Sequence, residues 1–377
     1  MASRAEDEAR RSAPRQVIPV YRPDLSGNER RYVLDCLDTG WISSLGVYVE
    51  RFERLVAAHA GAAHAVATCN GTVALHLALH GLGIGPGDEV IVPSFTYVAS
   101  VNAISYTGAR PVLAESRAAD WLLDPAHAEA LVTPRTRAIL AVHLYGAACD
   151  MAALRAVADR HGLALVEDAA EALGTTIAGR HAGTLGDAGA FSFFGNKTVT
   201  TGEGGMTVCA DPALAARMLQ ARGQGQSFTR RYWHEVMGFN YRMTNVAAAI
   251  GCAQMERLDA ILARKRALAL RYRALLAGLP VTFQRAMPGV ESAEWLVSVL
   301  LPEGANRDAV MARMGAWGVE TRPVFHCAHA MPVQRQAISL PVAEGIAARG
   351  LSLPSFPGLT DAEQDRVAEA LAGALRA

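Results

Sequence analysis

The feature that most constrains this chain is a regular alternation of apolar, strand-like runs and helical stretches between His64 and Asp168. Residues 64–68, 89–92, 111–113, 137–142 and 163–167 read as short strands rich in Val, Ile, Leu and Ala. Helical stretches at 73–82, 97–106 and 150–161 lie between them, and Asp124 caps a further helix with Pro125 at its first position. Gly162 stops the helix that Asp150 begins. Nearly continuous apolar strands separated by helices predict an α/β fold with a mostly parallel sheet covered on both faces. In such a sheet, ligands sit beyond the carboxyl ends of the strands.

Outside this block the punctuation continues. Ser26 and Glu29 predict a capping box for a helix ending at Gly40, and 47–59 reads as a helix with Phe52, Leu55 and Val56 on one face. After an apolar run at 190–194 come a strand at 206–209 and a helix at 212–222. The stretch 223–243 is long, polar and aromatic, as functional or interfacial loops are. Residues 244–279 read as helix with one break. The last third has strand-like 295–301, a helix at 307–315, strand-like 319–321, and a closing helix capped by Thr360 and Glu363. The expected division is a tail over 1–15, a large domain over 16–260 and a smaller α+β domain over 261–377.

Composition narrows the function classes. Of 377 residues, 51% are hydrophobic and 19% charged, which describes a globular chain with a sizeable core. The net charge of +0 offers no basic surface for nucleic acid or an anionic membrane. Six scattered cysteines lack the paired spacing of a zinc site and suit reduced thiols in a cytoplasmic protein. No apolar run approaches membrane-spanning length, and residues 1–16 lack the apolar centre of a signal peptide. No metal, membrane or nucleic-acid partner is expected.

The residues that could carry chemistry lie at the ends of the strands. Lys197 is a lone amine, in a chain that strongly prefers arginine, between an apolar run and the small-residue turn 200–205. It could be a lysine snorkelling from a strand end, or an amine held in a pocket for covalent catalysis. Asp168 ends the run LALVE, 29 residues before Lys197. It could cap the next helix, or face a pyridine nitrogen and keep it protonated. Gly71 and Thr72, in a turn that opens a helix, suit a phosphate, although ordinary turns use the same residues. Ser192 could add a phosphate hydroxyl or be a small residue in a packed strand. Tyr97 could stack on a flat ring or pack in the core.

Six segments occur in an order that resembles a known family: NGT before an apolar helix, VPSFTYVASVNAI, HLYG, EDAAEALG, SFFGNKTVTTGEGGM and GFNYRMTNVAAAIGCAQ. The chain is similar to the DegT/DnrJ/EryC1/StrS nucleotide-sugar aminotransferases over about 18–357. The resemblance implies the aspartate aminotransferase-like fold (fold type I) and pyridoxal 5'-phosphate as cofactor. It implies that Lys197 holds the cofactor covalently and that Asp168 faces its ring nitrogen. Gly71, Thr72 and Ser192 would take the phosphate, Tyr97 would stack on the ring, and Glu171 would lie near the ring hydroxyl. Asn240 would reach the phosphate of a neighbouring subunit, which implies a homodimer with intersubunit active sites. Arg230, Arg231 and Trp233 would face the nucleotide. Arg322, His326 and His329 would border the sugar, or form a solvated loop. With the lysine in place, amino transfer from L-glutamate to a nucleotide-linked keto sugar is favoured over dehydration. The first expectation is a GDP-linked 4-keto-6-deoxy hexose. A 3-keto, UDP- or dTDP-linked sugar, an aminocyclitol precursor, and a non-catalytic protein of the same fold are the alternatives.

Overall fold

The computed structural model describes residues 17–376, so the tail expected over 1–15 lies outside the described residues. Two helices, α1 (Glu29–Thr39) and α2 (Val47–Ala60), precede the alternating block. The block runs β1 (His64–Thr68), α3 (Gly71–Gly81), β2 (Glu89–Pro93), α4 (Val98–Tyr106), β3 (Arg110–Ala114), α5 (Pro125–Ala130), β4 (Thr136–Val142), α6 (Met151–His161) and β5 (Ala164–Asp168). A hairpin, β6 (Thr176–Ile177) and β7 (Arg180–His181), leads to β8 (Ala188–Ser192), β9 (Gly205–Cys209), α7 (Pro212–Arg222), α8 (Asn245–Met255) and α9 (Leu258–Leu275). The chain ends with β10 (Thr282–Phe283), β11 (Val290–Glu291), β12 (Ser298–Leu300), α10 (Arg307–Ala316), β13 (Arg322–Pro323), α11 (Pro341–Arg349), β14 (Gly350–Ser352) and α12 (Asp361–Arg376).

The central sheet has the order β1-β9-β8-β5-β4-β2-β3. The pairs from β8 across to β3 are parallel, whereas β9 runs antiparallel to both β8 and β1. With only β9 reversed, the carboxyl ends of β1, β2, β4, β5 and β8 share one edge with the start of β9. Side chains from α3, α4 and α6 bury one face of the sheet, and α2 and α8 bury the other. A third core forms beneath β12 and β14, from α10, α12 and the second half of α9. Helix α9 joins two of these cores: Leu258 and Leu262 belong to the second, and Leu268, Ala269 and Tyr272 to the third.

Three local expectations change. Ser26 caps nothing: Asn28 takes the N-cap of α1, and the Glu29 carboxylate turns inward to accept from Gln254 Nε2 at 2.6 Å. A buried acceptor for α8 outweighs a cap on an exposed first turn. The strand expected at 319–321 falls three residues later, at β13, because Val319 is drawn into the third core, where it bridges Ile18. The run at 190–194 stops being strand at Ser192, and Phe194 is exposed. The capping box of Thr360 and Glu363 does form, with reciprocal bonds of 3.2 and 2.8 Å.

Candidate active site

The edge where the strand ends meet carries an anion cradle. Asn70 caps α3 by accepting the Val73 N–H at 3.0 Å, which leaves the first two helix amides, Gly71 and Thr72, without an intrahelical partner. These two N–H groups and the helix dipole favour an oxyanion there. A Cβ on Gly71 would stand 2.7 Å from Ser192 Cβ, so glycine lets the end of β8 close on the start of α3. Gly205 does the same for β9, since a Cβ there would run into the Asn70 carbonyl oxygen. Gly71, Thr72 and Ser192 thus form one cradle.

Asp168 pairs with Ala190 across the β5–β8 ladder. Its buried carboxylate accepts from Ser100 Oγ at 2.7 Å and from the Ala170 N–H at 3.1 Å. Its neighbour Glu167 does a different job on the other face of the sheet. There it accepts the N–H groups of Gly183, Leu185 and Gly186 at 2.6–2.7 Å, and His143 Nε2 at 2.9 Å. These donors hold the Glu167 carboxyl below its ordinary range in spite of its burial. His143 Nδ1 accepts the Cys149 N–H, so His143 is a packing histidine that donates through Nε2.

Lys197 lies in the irregular connection between β8 and β9, where its N–H bonds the Phe194 carbonyl at 2.9 Å. Its Nζ stands 3.3 Å from Glu171 Oε1 and 4.1 Å from the centre of the Trp295 ring. Glu171 is buried, and its second oxygen accepts the Tyr145 N–H at 2.8 Å. Burial raises the Glu171 carboxyl above its ordinary value, against the pull of the Lys197 ammonium. Tyr145 is held at a positive φ of 59° by the Phe325 N–H on its hydroxyl and by stacking against Phe325 and Trp295. A backbone in this left-handed region is uncommon for a bulky residue.

Tyr97, at the mouth, is 58% exposed and has Phe325 5.6 Å away. Asn240 is exposed between Phe239 and Tyr241, whose rings stack at 4.7 Å and pack on His76. The Tyr241 hydroxyl lies 3.0 Å from His76 Nδ1. With both neighbouring rings pinned inward, Asn240 faces solvent. The Cys69 N–H bonds the Tyr241 carbonyl at 2.8 Å, so this loop rests on the anion cradle.

The residues expected near the substrate do not form one group. Arg230 lies over the Trp233 ring at 4.1 Å, and both are exposed on the 223–243 loop. Arg322 and His326 are exposed, Arg322 3.6 Å from Glu320. His329 is 7% exposed, and its two ring nitrogens are taken by Ser94 at 2.7 Å and Glu344 at 3.1 Å. It ties the end of β2 to α11. Sequence reasoning passed over Ser100, Tyr145 and Trp295. HLYG carried Tyr145 as part of a motif, and Trp295 read as part of a strand. Ser100 lay inside the segment VPSFTYVASVNAI, one turn past Tyr97, and was given no role of its own.

A buried carboxylate, an accessible amine beside a second acid, and an anion cradle fit pyridoxal phosphate, which has a ring nitrogen, an aldehyde and a phosphate. No group of three or more side chains suited to a metal ion occurs among the described residues, and none of their helices is long and apolar enough to cross a membrane. A cavity of about 600 Å³, lined by His59, His181 and Arg266 among others, opens at the opposite edge of the sheet and takes no part in this site.

The family model for the DegT/DnrJ/EryC1/StrS aminotransferase family matches residues 23–372. GDP-perosamine synthase of Caulobacter vibrioides is 51% identical over 94% of this chain and 97% of its own. GDP-perosamine synthase of Vibrio cholerae is 46% identical over 92% and 95%. The crystal structure of S. venezuelae DesV superposes with a TM-score of 0.89 at 39% identity, covering 96% of this chain and all of that one. The chain therefore belongs to the DegT/DnrJ/EryC1/StrS aminotransferase family and is a pyridoxal phosphate-dependent aminotransferase.

Proposed function

We propose that this enzyme moves the amino group of L-glutamate to C4 of GDP-4-keto-6-deoxy-D-mannose, giving GDP-perosamine and 2-oxoglutarate. The observation that carries the substrate is the 51% identity, over nearly both full lengths, to a GDP-perosamine synthase. The residues divide the work. The Gly71 and Thr72 amides and the Ser192 hydroxyl take the cofactor phosphate, and Asp168, fixed by Ser100, keeps the ring nitrogen protonated. Tyr97 covers the ring from the mouth. When bound, pyridoxal phosphate supplies the electron sink that lets a C–H bond beside the amino nitrogen break. Lys197 holds the cofactor at rest and, once free, moves a proton at Nζ. Glu171 steadies the charge of that amine: its buried carboxylate oxygen accepts from Lys197 Nζ at 3.3 Å. Arg230, Trp233, Arg322 and His326 border the nucleotide and sugar, whereas His329 supports that rim from behind.

The enzyme works as a cytoplasmic homodimer in this reading. Leu34, Leu37, Trp41, Ile42, Leu45 and Val47 are exposed large apolar residues on and after α1. Phe228, Tyr232, Val236 and Met237 add to them from the loop that turns Asn240 outward. That much apolar surface suits burial against a second copy. Incubation with L-glutamate and GDP-4-keto-6-deoxymannose should yield GDP-perosamine, and light scattering should give twice the 40.0 kDa chain mass. Turnover confined to 3-keto or dTDP-linked sugars would refute the substrate, and an active monomer would refute the shared site.

A further inference from the structure

The chain contains two lysines, Lys197 and Lys265, among 36 Lys and Arg residues. Lys265, on α9, is only 1% exposed. Its Nζ donates to the Trp295 carbonyl at 2.8 Å and to the Ser355 carbonyl at 3.0 Å, and the Tyr21 ring faces it at 5.2 Å. A compact ammonium suits this site better than a forked guanidinium would. An apolar side chain of similar length would fill the space without the cost of burying a charge.

The two aromatic residues that touch Lys265 both reach the reactive turn. The Trp295 indole N–H donates to the Asn196 carbonyl at 2.7 Å, and the Tyr21 hydroxyl donates to the Lys197 carbonyl at 2.7 Å. The Trp295 ring also underlies Lys197 Nζ. The turn has no helix or ladder of its own across 194–201, so these side chains supply the anchoring that secondary structure does not. Two independent paths from one buried ammonium therefore end on consecutive carbonyls. We propose that Lys265 is a positioning residue for Lys197: it seats Tyr21 and Trp295, which pin the turn that aims the reactive amine.

This inference rests on Lys197 being the catalytic amine. That premise fails separately if Lys197→Ala still binds the cofactor covalently. The test compares Lys265→Met with wild type by two readouts. The first uses cofactor-free protein: trace acetylation of Lys197 against pH, read by mass spectrometry, which is clean because the only other side-chain amine in the chain is Lys265. The second is the kinetics of the glutamate half-reaction. Loss of aim should shift the pH midpoint of Lys197 acetylation and lower kcat about tenfold, with KM for glutamate changed less than about threefold. A Lys265→Met protein whose melting temperature changes while both readouts stay at wild-type values would overturn the proposal and leave Lys265 a purely structural residue. If Lys265→Met does not fold, Tyr21→Phe and Trp295→Phe each remove one bond to the turn and leave Lys265 in place. Each should shift the acetylation midpoint in the same direction, and two unchanged midpoints would likewise refute the mechanism.

Discussion

The two lysines of this chain are both withdrawn from the surface, and they are held in opposite ways. Lys197 has one long contact to an acid, an aromatic wall, and a side chain 14% exposed. Lys265 has two short bonds to carbonyls and, among the described residues, no carboxylate in contact. An amine that must form and break a covalent bond needs partners it can leave cheaply. An amine that must hold two segments together needs its protons taken up. Glu171 fits the first description because its tie to the amine is one long bond, accepted from Nζ at 3.3 Å. The carbonyls of Trp295 and Ser355 fit the second, since they accept and have no proton to exchange.

Lys197→Ala should show the contrast most strongly. Covalent attachment of the cofactor disappears, and with it the absorption band of the linked form, while kcat falls on the order of 10³-fold or more. A Lys197→Ala enzyme within about tenfold of wild type would end the distinction between a reacting and a holding lysine. Glu171→Gln should come next. The amide keeps the acceptor for the Tyr145 N–H but carries no charge to set against the Lys197 ammonium, so a loss of about 10- to 100-fold in kcat is expected. The change should fall in kcat and in its pH profile rather than in cofactor affinity. Wild-type kcat in this variant would reduce Glu171 to a hydrogen-bonding wall.

Much of this site was legible from residue types and order alone. Strand and helix periodicities marked where the turns fall, and Lys197, Asp168 and the Asn70-Gly71-Thr72 turn stood out because each puts a reactive or small residue at a strand end. What stayed hidden depends on contacts between distant segments. Nothing local in the sequence says that Ser100 will hold Asp168, that Trp295 will underlie Lys197, or that Tyr21 will reach across 176 residues to the Lys197 carbonyl. Glu29 gave a misleading local signal for the same reason. The pattern of a capping box was present, but Gln254 of α8 offered its carboxylate a buried partner. His329 sits beside His326 in the chain, yet only the fold reveals that its two nitrogens face Ser94 and Glu344.

The pH dependence of stability should sharpen the comparison, with the smallest effect of the three. Burial pushes the Lys265 ammonium down from an ordinary 10.5 to about 7, and only the charge of Glu294 opposes this. Between pH 7 and 10.5 the unfolded chain therefore carries a proton that the folded protein has released. Stability rises with pH wherever the unfolded state binds more protons, so the penalty is fully present below about pH 7 and fades toward pH 10.5. A single group can contribute at most about 1.4 kcal/mol per pH unit in that window. Tyr21 and Tyr272 also lie close to this junction, but burial raises both phenols, which moves their titration above the window. Subtracting the unfolding free energy of Lys265→Met from that of wild type cancels groups common to both. The difference should move in favour of wild type as pH rises from about 7 to about 10, and should be flat between about pH 5 and 6. A difference flat across the whole range would mean that Lys265 titrates alike in the folded and unfolded chains. In an amine only 1% exposed, that result would mean that its two short carbonyl bonds offset the whole cost of burying the charge.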